Sequence, residues 1–244
     1  MKYDKTVKGK FLDRPNRFIA RVQTEEGVQT VHVKNTGRCR ELFVPGAEVV
    51  LEESDNLNRK TKYDLVCVRK GMRWVNVDSQ IPNKAAAEWI SKGGLFPEAV
   101  TVRPEKTYGN SRFDLYVESS QRKAFVEVKG VTLENDGIAR FPDAPTQRGV
   151  KHVRELSECI RDGYEAYILF VIQMDGICCF EPNWETHEAF GEALVQAHKD
   201  GVQILARKCH VNENIIEVTE AVPVRLERST PDAGTDCGTA IKMV

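Results

Sequence analysis

Long apolar runs are lacking. The longest, residues 166–172 (Ala-Tyr-Ile-Leu-Phe-Val-Ile), is far short of the ~20 residues that a bilayer helix needs, so no helical span is expected and the run reads as a buried strand. The opening Met1-Lys2-Tyr3-Asp4-Lys5 is not followed by the apolar core of a secretory signal, which predicts a cytoplasmic protein. Paired cysteines are missing as well. The seven cysteines stand at 39, 67, 159, 178, 179, 209 and 237 with no CxxC, an odd count that argues against a disulfide framework in a reducing compartment. Cys178, Cys179, Cys209 and His210 do not make a zinc set, because adjacent strand residues face opposite sides and leave at most one ligand from each pair. The phosphate loop GxxxxGK[ST], the dinucleotide fingerprint GxGxxG and the hydrolase elbow GxSxG are all absent, and with them any support for nucleotide hydrolysis, dinucleotide binding or serine-hydrolase chemistry. Nor is there a helix-turn-helix or zinc finger, so sequence-specific DNA reading has no visible device. His32, His187, His198 and His210 are scattered and read as satisfied or surface histidines.

Net charge is almost nil, 35 basic against 36 acidic residues, but its distribution is uneven. Residues 1–75 carry a surplus of six positive charges and the remainder a deficit of seven. The basic residues of the first part gather near aromatics and turns, at Arg14-Pro15-Asn16-Arg17-Phe18, at Asn35-Thr36-Gly37-Arg38-Cys39-Arg40 and at Asn56-Leu57-Asn58-Arg59-Lys60-Thr61-Lys62. Such clusters suit phosphate contacts with an aromatic at hand for base stacking, and Arg14, Arg17 and Arg38 are the expected contacts; an ordinary solvated surface is the competing reading.

The length of 244 residues suggests one large domain or two modest ones. Residues 18–22 and 28–33 alternate at period two across a Glu25-Glu26-Gly27 turn, and 47–52, 63–68 and 74–77 read as further short strands. Five short strands suggest a small barrel of the oligonucleotide-binding (OB) type over 1–78, though a small open sheet fits nearly as well. From 79 to 228 strands and helices alternate, which predicts an α/β domain and makes the whole a mixed α+β protein. Asn83 is placed to cap a helix through Ile90 that stops at Gly93-Gly94. Residues 111–118 and 124–129 form a hairpin, and Thr146 caps a helix with an apolar stripe of Val150, Val153, Leu156 and Ile160. Strands at 166–173 and 177–181, a helix from about 185 to 199, and strands at 202–210 and near 215–226 follow. Residues 229–244 are read as a disordered tail.

Within the second domain, Asp114 is followed thirteen residues later by Glu127-Val128-Lys129. Glu127 and Lys129 face one side of their strand, and the hairpin can bring Asp114 beside them. Two carboxylates held together repel unless a proton or cation intervenes, and an oxygen-lined pair suits magnesium, with the Val128 carbonyl a natural third ligand. The D…ExK spacing alone is weak, since charged triplets on half-exposed strands are common. The context strengthens it: the strand is otherwise apolar, and the helix that follows carries Arg148, Lys151 and His152 on one face. With Arg112 beside Asp114, these three are further expected phosphate contacts.

The runs Ser111-Arg112-Phe113-Asp114, Val126-Glu127-Val128-Lys129-Gly130-Val131-Thr132-Leu133 and Phe141-Pro142-Asp143-Ala144-Pro145-Thr146-Gln147-Arg148-Gly149, with Lys151-His152, resemble the sugar fermentation stimulation protein A family. Asn35-Thr36-Gly37 and Ser54-Asp55-Asn56 match its N-terminal motifs, and the resemblance runs from about residue 8 to 226. Gln147 departs from the acid, and Cys39 from the methionine, that many relatives carry. The resemblance implies an OB-like barrel followed by a domain similar to the PD-(D/E)xK nucleases, in proteins described as DNA-binding and linked to maltose metabolism. Carried over by position, Asp114 and Glu127 are metal ligands for Mg2+ or Mn2+, Lys129 is the catalytic lysine and Glu88 the helix-borne acid. Two functions stand as expectations, a metal-dependent nuclease acting on DNA or RNA and a non-catalytic, largely non-specific DNA-binding regulator.

Overall fold

Short turns join the first strands, so most of them pair with sequence neighbours. The computed structural model describes residues 1–35, 37–56 and 58–228; Thr36, Leu57 and the tail from 229 onward, read above as disordered, lie outside the described residues. Strands β1 (Thr6–Asn16), β2 (Ile19–Thr24), β3 (Gly27–Val33), β4 (Glu48–Glu53), β5 (Tyr63–Lys70) and β6 (Arg73–Asn76) lie in the order β3-β2-β1-β4-β5-β6. A parallel pairing of β3 with β5, His32 opposite Asp64 and Val33 opposite Leu65, closes β1 to β5 into a barrel and excludes the open sheet. The closure is of the OB type. Strand β1 is not visible in the sequence pattern, because Phe11 is the only residue of it that is fully buried and Lys8, Lys10 and Asp13 dilute the alternation.

The second unit comprises α1 (Ile81–Ser91), β7 (Thr101–Tyr108), β8 (Ser111–Glu118), β9 (Lys123–Val131), β10 (Glu134–Asn135), β11 (Ile138–Phe141), α2 (Gln147–Arg161), β12 (Glu165–Ile172), β13 (Cys179–Pro182), α3 (Glu188–Lys199), β14 (Gln203–Val211) and β15 (Ile216–Val222). Its main sheet runs β15-β14-β12-β9-β8-β7, parallel across β9, β12 and β14 and antiparallel at both edges. Period-two geometry places Ala166, Ile168, Phe170 and Ile172 of β12 in one core with α2 and α3, and Tyr167, Leu169 and Val171 in another with α1. Burial on both faces is why this strand carries the longest apolar run. Helix α2 is capped as the sequence predicts, Thr146 Oγ1 accepting from the Gly149 N–H at 3.0 Å. Helix α1 is not: it begins at Ile81 after Gln80, with Pro82 in the first turn, and Asn83 is inside the helix with its side chain free for another use.

The two units share a buried polar joint. Gln173, just past β12 and 2% exposed, donates from Nε2 to Asn76 O at 3.1 Å, Asn76 Oδ1 at 2.9 Å and Asp78 O at 3.1 Å, and its own carbonyl accepts from the Asn76 N–H at 2.9 Å. Asn76 in turn donates to the Tyr3 hydroxyl at 2.8 Å. Replacing Gln173 by Leu takes its donor from Asn76 O and leaves Asn76 Oδ1 and Asp78 O with only the Asp78 and Ile81 N–H groups, so we expect the chain to lose roughly 1–3 kcal/mol of stability in urea unfolding. A loss within ~0.5 kcal/mol, the size of an ordinary surface substitution, refutes the joint's role. The same side chain limits its surroundings: a Cβ on Gly130 would lie 2.6 Å from Gln173 Oε1 and 2.6 Å from Pro82 Cγ, so the residue after Lys129 has to be glycine for the start of α1 and the joint to meet there.

Candidate functional site

At Asp114 the sheet loses its regular pairing on both sides. The β8–β9 ladder runs from Glu118 opposite Lys123 to Leu115 opposite Val126 and stops there. On the other edge the β7–β8 register passes from Pro104–Leu115 to Lys106–Phe113, skipping Asp114 and its opposite number Glu105, which has φ +55°. Phe113 and Leu115, two apart on one strand, accordingly pack into different cores. This break turns the Asp114 carboxylate into the gap between the strands, where Oδ2 accepts from the Val128 N–H at 2.8 Å, a bond that a backbone carbonyl would otherwise supply. Oδ1 accepts from Asn83 Nδ2 of α1, also at 2.8 Å.

Glu127 is 2% exposed and stands on the α2 side of β9. Its Oε1 pairs with the Lys129 ammonium and with His152 Nδ1 of α2, the latter at 2.6 Å. Its Oε2 is buried without a hydrogen-bond partner. Burial pushes the Glu127 carboxyl up, but the His152 hydrogen bond and the Lys129 charge outweigh it and hold the group below the usual carboxylate range. Asp114 goes the other way: burial first, then the Glu127 charge, raise it against the pull of Val128, Lys129 and Asn83. Asp114 and Glu127 are the residues here that could hold a cation, since an unpaired buried carboxylate oxygen such as Glu127 Oε2 is otherwise costly. In an extended strand a residue's N–H and C=O leave the same edge, so the Val128 carbonyl also faces the gap beside Asp114. Among the described residues no three His, Cys, Asp or Glu side chains converge on a metal-sized space. A cation here would therefore take two carboxylates, a carbonyl and water, the coordination that Mg2+ tolerates.

Not every expected residue is in this place. Glu88 lies five residues beyond Asn83, about 140° farther round the helix, and its carboxylate takes the Met1 ammonium and Lys92, each at 2.8 Å. The helix position beside the acids belongs to Asn83, which binds Asp114 and does not cap the helix. His152 is 6% exposed and holds Glu127, so it is no phosphate contact. Arg148 is exposed and its Nε reaches His152 Nε2 at 3.4 Å, which gives the ring a proton on Nδ1 facing Glu127. Lys151 bonds to the Asn110 carbonyl at 3.3 Å and lies 3.7 Å from Glu155, and Arg112 lies 3.5 Å from Glu105; both are solvent-exposed.

Arg14 is the clearest departure in the barrel. Its guanidinium donates to the carbonyls of Arg17 (2.6 Å), Asn35 (2.6 Å), Gly37 (2.9 Å) and Arg38 (3.0 Å) and stacks 4.7 Å from the Phe43 ring. Those nitrogens are committed to the backbone, so Arg14 builds the loop and does not reach a phosphate. Arg17 and Arg38 are exposed, and so is their neighbour Arg40. The loop they stand on abuts the second unit: Gly37 leaves no room for a Cβ, which would lie 2.5 Å from Asp143 Oδ2. Between the two lies a cavity of about 150 Å3 bordered by Asn35, Gly37, Thr132 and Gly130, the last of these one residue past Lys129.

Two family models match the chain, the sugar fermentation stimulation protein RE domain over residues 80–215 and the SfsA N-terminal OB domain over residues 12–77. A sugar fermentation stimulation protein homolog of Desulfitobacterium hafniense (strain Y51) is 58% identical over 226 residues, which is 93% of this chain and 99% of the relative. One from Clostridium beijerinckii is 54% identical over 226 residues, 93% of this chain and 100% of the relative. Among solved structures, that of Pyrococcus furiosus SfsA in complex with Ca2+ matches with a TM-score of 0.83 at 29% identity, over 92% of this chain and 98% of that one.

Proposed function

The chain belongs to the sugar fermentation stimulation protein family, and on that premise we propose that it binds nucleic acid and cleaves phosphodiester bonds with the help of Mg2+ or Mn2+. The observation that carries the reading is the buried Glu127 with its unpartnered Oε2, whose charge acts on Asp114, a carboxyl raised by burial first and by Glu127 second. Asp114, Glu127 and the Val128 carbonyl would hold the ion. When bound, such an ion supplies Lewis-acid neutralisation of charge at a phosphodiester. The relative from Pyrococcus furiosus, solved with Ca2+, supports an affinity of this fold for hard, oxygen-seeking cations.

The chain's own residues supply the rest. Asn83 and the Val128 N–H fix the Asp114 carboxylate in the gap, and His152 holds Glu127 through Oε1, which leaves Oε2 without a partner. The Lys129 ammonium, 17% exposed at its side chain, stands on the same strand face as Glu127 and is placed to orient an attacking water or to offset charge gathering on the phosphate. Arg17, Arg38 and Arg148 are exposed cations that suit backbone phosphates, with affinity falling as salt rises.

One observation favours the second reading, a DNA-binding protein that keeps the fold without the chemistry: Glu127 already has a counter-ion in Lys129 and a donor in His152, so one oxygen of the pair is neutralised within the chain. Incubating the full chain with labelled single- and double-stranded DNA and RNA, each with Mg2+ or Mn2+, separates the two. Products with at least one substrate that vanish in chelator are expected; binding without products under any metal leaves the regulator.

A further inference from the structure

The barrel carries a pocket of about 520 Å3 next to the loop that meets the second unit, and it is walled by Arg17, Arg38, Arg40, Asn16, Gly37 and the Arg14–Phe43 stack. We propose that this pocket binds a nucleoside phosphate through its dianionic monoester group, a ligand distinct from the phosphodiester track of the nucleic-acid reading.

Its construction supports this. Arg14 gathers the carbonyls of Arg17, Asn35, Gly37 and Arg38 onto one guanidinium, which ties the β1–β2 turn to the loop after β3 and turns those backbone oxygens inward. Cys39 has φ +43°, a left-handed conformation that a non-glycine residue rarely adopts, while its side chain is 5% exposed with Sγ 4.0 Å from Thr132 Oγ1. Its carbonyl accepts from the N–H groups of Leu42 and Phe43 at 3.1 and 3.0 Å. The residue between the two arginines is thus anchored in the core, and the kink lets Arg38 and Arg40 both line the pocket. Strain of this kind persists only where the surroundings impose it, and it is commonest at ligand sites.

The electrostatics point to an anion. Arg17, Arg38 and Arg40 are exposed, and among the described residues no carboxylate lies within ion-pair distance of any of them; the nearby Glu41 and Asp143 do not line the pocket. Three like charges on one concavity repel one another until an anion arrives. Guanidinium groups bind phosphate through paired, charge-assisted hydrogen bonds, and a monoester dianion offers three terminal oxygens where a diester offers two. The volume exceeds what a bare phosphate fills and lies within the range of small-molecule sites. Phe18, 44% exposed, lies 5.0 Å from the guanidinium of Arg17, a lining residue, and the two make a flat pair on which a base can stack.

The monoester can come from a free nucleotide or from the phosphorylated end of a strand, and only the second source rests on the nucleic-acid reading. The test uses the full chain in chelator, so that no cleavage intervenes, and reads fluorescence anisotropy of a short single-stranded oligonucleotide carrying a 5′-phosphate, a 3′-phosphate or hydroxyls at both ends. Deoxyadenosine monophosphate and deoxyadenosine serve as competitors. We expect one phosphorylated end to bind about tenfold tighter than the hydroxyl strand, the nucleotide to compete and the nucleoside not to. In Arg38→Ala/Arg40→Ala, whose residues are exposed, the preference should fall below about twofold with the melting temperature unchanged. Competition by the nucleotide without any preference for a phosphorylated end identifies the free nucleotide as the ligand and also supports the pocket. Equal binding of all strands with no competition by the nucleotide overturns it. Metal-dependent cleavage is read separately: its absence with pocket binding intact defeats the nuclease alone, and cleavage with neither a preference for a phosphorylated end nor competition by the nucleotide defeats the pocket alone.

Discussion

Asp114→Asn and Glu127→Gln are each expected to lower metal-dependent cleavage by at least about a thousandfold, with nucleic-acid affinity unchanged or slightly higher. Each substitution removes one negative charge from a pair that, among the described residues, has no third acidic side chain placed to share a metal with it. At Asp114 the replacement is nearly isosteric. The new Oδ1 can still accept from the Val128 N–H, and Asn83 can turn its amide to present an oxygen to the new Nδ2, so the gap between β8 and β9 keeps its bonds. At Glu127 a glutamine loses the charge that Lys129 and His152 both face. Affinity does not fall, because a carboxylate near a phosphate is repulsive and its loss relieves that repulsion. Calorimetric titration with Mg2+ or Mn2+ should show the cation site weakened in both variants. Cleavage at the wild-type rate by either one removes the site from consideration.

Lys129→Ala should lower the cleavage rate by roughly 100-fold or more while the dissociation constant for nucleic acid stays nearly constant. The reason is positional. The ammonium is mostly buried, at 17% side-chain exposure, and lies against Glu127, so it adds little to ground-state affinity compared with the exposed arginines of the barrel and α2. In the transition state it faces charge that the ground state lacks, and a preorganised donor in a dry site acts most strongly there. In a protein that only binds, Lys129 is at most one more phosphate contact; its loss then weakens binding modestly, and no metal yields products. Single-turnover rates beside equilibrium binding on the same substrate separate the two cases. An unchanged rate with a weakened dissociation constant contradicts the catalytic assignment.

Much of this architecture is legible in the sequence where a pattern is local. Alternation in β2 and β3, the unbroken apolar run of β12, the Thr146 cap and the ExK pair on one face of β9 are set by period and by side-chain chemistry within a few residues. The strands it misses share one cause. β1 keeps only Phe11 fully buried, and β7, Thr101–Tyr108, has no fully buried residue, so neither shows an apolar rhythm although backbone pairing holds both in their sheets. The candidate site divides the same way. Asp114, Glu127 and Lys129 are recognisable by spacing, whereas Asn83 is read as a cap and Glu88 as an acid of the site because a helix's rotation about its axis cannot be known before its packing is. Arg14 is the sharpest case: sequence assigns it by charge, and only the fold reveals four carbonyls around its guanidinium.

What the sequence alone determined, then, is the kind of chemistry and its order along the chain: a basic β-rich first part, an α/β second part, two acids and a lysine on a hairpin. These follow from composition and from interactions between residues close in sequence. Only the tertiary structure decided which of these groups confront one another. The β8–β9 ladder ends at Leu115 and Val126, Asp114 fills the gap that results, and α2 sets His152 against Glu127 from 25 residues away in sequence. Likewise Arg14 is turned inward and Arg17, Arg38 and Arg40 outward by the closing of the barrel. The physical reason is common to all of these. Whether a charged group meets a cation, a carbonyl or water depends on what long-range packing places opposite it, and the free energy of a buried charge varies more with that partner than with anything its neighbours in sequence can specify.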